Sequence, residues 1–76
     1  MGRVRKGERI IDRAIGVISA EGAKHGGVPP VTWTARAIGC EGSRGTVHGA
    51  YQALVEAGRL IQPWGAGNGY VWVPEG

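Results

Sequence analysis

Between Ser43 and Gly58 the apolar residues Val47, Ala50, Tyr51, Leu54 and Val55 fall at i, i+3, i+4, i+7 and i+8. That spacing predicts one amphipathic helix with a single buried stripe. Ser43 suits the amino-terminal cap and Gly58 the carboxy-terminal stop, so the helix is expected over residues 43–57. Any fold of this chain must cover that stripe, and two earlier segments carry apolar faces able to do so. From Glu8 to Gly22, Ile10, Ile11, Ala14, Ile15 and Ile18 recur at helical spacing; Gly16 weakens this helix and Gly22 is its expected end. Residues 22–30 then read as a loop, because Gly26, Gly27, Pro29 and Pro30 disfavour regular structure. Val31 fits a short strand. Thr32 or Thr34 caps a second helix of about two turns, carrying Ala35, Ala37 and Ile38 and closing near Gly39, with Glu41-Gly42 as the turn that follows.

Beyond Gly58 the pattern changes. Leu60–Gln62 reads as a strand, residues 63–69 as a glycine-rich loop, and Tyr70–Val73 as a returning strand of aromatic and β-branched residues. Two strands alone are marginal in water, so the hairpin must pack on the helices. The expected fold is mainly α with a small β-hairpin: a winged helix-turn-helix of three helices plus wing, over residues 8–76, after a basic flexible arm at 1–7. With 76 residues and no Phe, the bulky pieces must come from Tyr51, Tyr70 and the three tryptophans. Trp33 and Trp72 are expected in the core. Trp64, beside Pro63, is open between packing and contact with a partner.

Composition removes several function classes. A single cysteine, Cys40, excludes an internal disulfide and is expected to pack as a small hydrophobe. His25 and His48 stand too far from other ligands to suggest a metal site, and no cofactor is expected. The carboxylates Glu8, Asp12, Glu21, Glu41, Glu56 and Glu75 are scattered, with no arrangement resembling a catalytic constellation, so an enzyme is not expected. No apolar run approaches the roughly 18 residues of a membrane span, and no signal-peptide core follows the basic start. The expectation is a cytoplasmic protein that does not engage a membrane.

Charge points to a different partner. The formal net charge is +3, and residues 1–13 hold all of it: Arg3, Arg5, Lys6, Arg9 and Arg13 against Glu8 and Asp12. Residues 14–76 are balanced. A basic arm of this kind suits contact with phosphate, and Arg3, Arg5 and Lys6 are candidates to reach a groove or a flanking phosphate. A solvated tail is the plainer reading of the same residues.

In a helix-turn-helix the second helix lies in the major groove with its first turns against base edges. Residues 43–54 meet that requirement. Arg44, His48 and Gln52 fall at i, i+4 and i+8, on the side opposite the apolar stripe, while Ser43, Gly45 and Thr46 form a first turn whose free amides favour phosphate. Arg36, on the preceding helix, is a further backbone candidate.

The run Ser43-Arg44-Gly45-Thr46-Val47, followed by Ala50, Leu54, Gly58 and Leu60, resembles the recognition-helix signature of the GntR family of bacterial regulators. Ala35-Arg36-Ala37-Ile38-Gly39-Cys40 is similar to that family's first motif helix, and Gly67-Asn68-Gly69-Tyr70-Val71 to its wing. The resemblance covers roughly residues 31–73. It implies phosphate or base contacts from Ser43, Arg44, Thr46 and His48, with Arg44 the strongest candidate for a bidentate guanine contact. The chain departs from the pattern at three points. His48 stands where arginine is usual, Gly45 replaces a hydroxyl residue, and Glu41-Gly42 reads as a two-residue insertion in the turn. No Arg or Lys occurs from Leu60 onward, leaving backbone amides and Asn68 as the wing's means of contact. The chain stops just after the wing, so no effector-binding domain and no small-molecule effector are expected.

The expected function is sequence-specific binding of double-stranded DNA by a small bacterial, phage or plasmid transcriptional regulator. A weak homodimer or cooperative assembly on DNA would compensate for the limited surface of one copy. Two other readings stay open: a winged-helix module that grips another protein, and an architectural accessory factor for recombination or replication.

Overall fold

The computed structural model describes residues 6–64 and 69–74. Its elements run α1 (Ile10–His25), β1 (Gly27–Val28), α2 (Val31–Ala37), a 3-10 turn (Glu41–Ser43), α3 (Arg44–Glu56), β2 (Leu60–Ile61) and β3 (Tyr70–Trp72). The result is a helix-rich fold carrying a small three-stranded antiparallel sheet of order β1-β3-β2.

Helix α1 continues a turn past its expected end. It stops at Gly26, whose φ of +77° lets its N–H reach the Gly22 carbonyl at 2.8 Å. Gly22 lies inside the helix for another reason: a Cβ there would meet Trp72 Cδ2 at 2.5 Å, so only glycine lets the helix backbone lie against that ring. Arg59 sits over the ring, its Cζ 4.7 Å from the centroid.

The expected loop over 22–30 therefore holds the end of α1 and a strand. Gly27 pairs with Val71 and Val28 with Tyr70, which turns the expected hairpin into a three-stranded sheet with β3 in the middle. Leu60 and Ile61 pair with Trp72 and Val71 on its other side. Val31 belongs to the first turn of α2, not to a strand, because Pro29-Pro30 ends β1 and Pro30, in extended conformation, occupies the cap position. Neither Thr32 nor Thr34 caps this helix. Thr34 is fully buried and bonded to Tyr51 instead.

Two helix ends follow one design. After α2, Cys40 N–H bonds the Ala35 carbonyl at 2.8 Å and Gly39 N–H the Arg36 carbonyl at 3.1 Å. After α3, Arg59 N–H bonds the Leu54 carbonyl at 2.9 Å and Gly58 N–H the Val55 carbonyl at 3.0 Å. Both are Schellman closures, made possible by positive φ at Gly39 and Gly58. Ser43 takes the position before α3, but its side chain makes no cap hydrogen bond and it belongs to the 3-10 turn, so the helix proper begins at Arg44.

The core joins Ala14, Val17 and Ile18 of α1 to Ala35 and Ile38, to Val47, Ala50, Tyr51 and Leu54 of α3, and to Val28, Leu60 and Tyr70 of the sheet. Cys40 packs against it partly buried, while Trp33 and Trp72, expected in the core, lie at its edge, also partly buried. Val55, the last member of the expected stripe, is exposed, as are Ile61 and Trp64. Among the described residues no helix is long and apolar enough to cross a membrane.

Candidate nucleic-acid interface

Helix α3 has two unlike sides. Val47, Ala50 and Tyr51 have no accessible surface, whereas Arg44, Gly45, Thr46, His48 and Gln52 are all exposed. Ser43 is half-buried at the start of this edge. The i, i+4 pair His48 and Gln52 brings their Nε2 atoms to 3.4 Å, so the two present one continuous polar surface.

What fixes that edge is the hydroxyl of Tyr51. It donates to the Pro29 carbonyl at 2.6 Å and lies 2.6 Å from Thr34 Oγ1, while the ring packs at a 37° tilt against Tyr70 of β3, centroids 4.6 Å apart. One side chain of α3 thus holds the β1–α2 junction, α2 and the central strand. Rotation of α3 about its axis would break all three contacts.

Burial pushes the Tyr51 phenol up from 10.0 to about 12; Thr34 partly opposes the shift and Tyr70 reinforces it. An acid whose folded pKa is raised loses its proton first in the unfolded chain. Its contribution to stability is whole below pH 10 and falls as pH rises from 10 toward 12. Chemical denaturation at stepped pH is expected to show this decline, and a Tyr51→Phe variant to lose most of it.

Arg36 and Arg44, assigned to successive helices in the helix-turn-helix reading, line one cleft. It is an open space of about 310 Å³ between α2 and the start of α3, lined also by Thr32 and Glu41. Thr32 and Glu41 are the members that sequence reasoning did not name as site residues. Thr32 scans as a helix cap and Glu41 as a turn residue, and the 3-10 turn preceding α3 carries Glu41 to the cleft.

The amino-terminal charge is partly tethered. Arg13 Nε lies 2.9 Å from Glu8 Oε1, and Arg9 Nε lies 4.0 Å from Asp12 Oδ2. Lys6 is exposed, and Arg3, Arg5 and Asn68 lie outside the described residues. Among the described residues no group of three His, Cys, Asp or Glu side chains is placed to hold a metal ion.

Comparison with known proteins finds no matching family model, no similar curated protein and no similar solved structure.

Proposed function

We propose that the chain is a winged helix-turn-helix domain that binds double-stranded DNA in a sequence-specific manner, as a small bacterial or phage transcriptional regulator. The observation that carries this reading is the division of α3: a polar edge of Arg44, His48 and Gln52, with Thr46 of the first turn also in solvent, backed by fully buried Val47, Ala50 and Tyr51. A helix that reads a major groove needs such an edge and an immobile back. The order of elements supports it too, with α2 followed through a 3-10 turn by α3, and β2–β3 as the wing, β2 against α3 and β3 against α1. So does the resemblance of residues 31–73 to the GntR-family motif.

In this reading α2 crosses the phosphate backbone, Arg36 contacts it, and Arg44 reads a base from the first turn of α3. Lys6, with Arg3 and Arg5, supplies flanking phosphate contacts. Selection from a random duplex pool, followed by anisotropy titration of the selected site, tests the proposal. Arg44→Ala is expected to weaken binding of the selected duplex by about 1–3 kcal/mol. Affinity should also fall steeply with added salt as counterions are released. Equal affinity of variant and parent for that duplex removes Arg44 from the interface.

Trp64 and Ile61, 59% and 49% exposed in a segment without Lys or Arg, favour a second reading in which this part of the fold grips a protein, including a second copy bound on DNA. Binding that persists unchanged at high salt would point that way.

A further inference from the structure

We infer that Glu41 determines specificity, its carboxylate accepting a hydrogen bond from the N4 amino group of a cytosine while Arg44 reads the guanine paired with it. The inference rests on the DNA-binding reading above and names the base pair which that site takes.

Thr32 and Arg36 from α2, Glu41 from the 3-10 turn and Arg44 from the first turn of α3 line the same cleft, and all four are exposed. Glu41 precedes Arg44 by three residues across a 3-10 turn, a spacing at which side chains eclipse one another. Yet neither Arg36 nor Arg44 closes an ion pair with Glu41 within 4.0 Å, although the three share one cavity. Two cations and one anion therefore all remain open to a ligand.

That combination selects the chemistry of the ligand. A phosphate satisfies the arginines but is repelled by the carboxylate. The ligand must offer acceptors to a guanidinium and, next to them, an N–H donor to Glu41. In the major groove guanine presents two adjacent acceptors, O6 and N7, which match a bidentate arginine, and its paired cytosine presents the N4 amino donor. Arg44 starts the groove-facing helix and takes the guanine. Arg36, on the helix that crosses the backbone, takes the neighbouring phosphate. Guanine or thymine opposite Glu41 leaves the carboxylate facing an acceptor or a methyl group, and this repulsive element sharpens the choice. Adenine offers an N6 donor, but its paired thymine denies Arg44 the two adjacent acceptors of guanine.

Duplex selection with the parent chain and with Glu41→Ala tests this directly. Because Glu41 is exposed, thermal melts should coincide and exclude a folding defect. The parent should select a G·C pair for which the variant, reading it through Arg44 alone, keeps a weaker preference, with discrimination at that one pair falling roughly ten-fold. Arg36→Ala, in contrast, should weaken all sequences alike. Discrimination that Glu41→Ala leaves unchanged in strength at every position overturns the inference and leaves DNA binding standing. Failure of the parent chain to bind any duplex at low salt overturns both.

Discussion

Replacing Tyr51 with alanine is expected to remove about 3–5 kcal/mol of stability, the usual cost of emptying a buried aromatic site. A domain of this size has roughly 4–11 kcal/mol in total, so the variant should be partly unfolded at ambient temperature. The cause is not volume alone. The phenol lies at zero exposure between the Pro29 carbonyl, Thr34 Oγ1 and the Tyr70 ring, so its loss also strands the buried Thr34 hydroxyl and the part-buried Pro29 carbonyl. Tyr51→Phe separates the two contributions: it keeps the ring, loses the hydroxyl, and should cost about 1–3 kcal/mol. Urea unfolding followed by circular dichroism measures both. A loss below about 1 kcal/mol for alanine would show that the site collapses or hydrates freely, contrary to the packing described.

The second large effect is expected at Gly22. Valine there drives carbon atoms into the Trp72 ring, three of whose atoms already lie 2.5–2.6 Å from a modest Cβ. The ring has little freedom to retreat, being stacked beneath the Arg59 guanidinium. Overpacking of this kind costs about 3 kcal/mol and should lower Tm by roughly 10–20 °C. Gly16, in the same helix, has nothing within 4 Å of a Cβ, so Gly16→Val should stay within about 0.5 kcal/mol of the parent. Equal melting temperatures for the two variants would mean that α1 and β3 are not in contact as described.

These two residues also mark where local pattern stops being informative. The apolar spacing along α1 and α3, the Gly58 stop and the alternation of Tyr70–Trp72 are local signals, and the structure follows them to within a few residues. Strand β1 is two residues long, too short for any periodicity, and exists because β3 offers Gly27 and Val28 hydrogen-bonding partners. Gly22 looks like punctuation until Trp72, fifty positions later, folds back onto it. Thr34 has the composition of a cap, but the β1–α2 proline pair starts the helix earlier and turns its hydroxyl inward to Tyr51.

The same distinction runs through the candidate site. Arg44, His48 and Gln52 are legible because helical spacing alone puts them opposite the core stripe, and Thr46 because it falls in the first turn; all are exposed. Glu41 is not legible, since its relation to Arg36 depends on how the turn between α2 and α3 is wound. Arg9 and Arg13 scan as free positive charge, whereas each has an acidic neighbour on or beside its own helix.

The sheet has a consequence for the chain in concentrated solution. Both outer strands are only two residues long, and Pro29 directly follows one while Pro63 comes soon after the other. A rim so brief, interrupted by residues that lack an N–H, offers another molecule almost no ladder to extend. The exposed backbone is thereby protected from stacking into fibres, and self-association of the domain is left to side-chain surfaces.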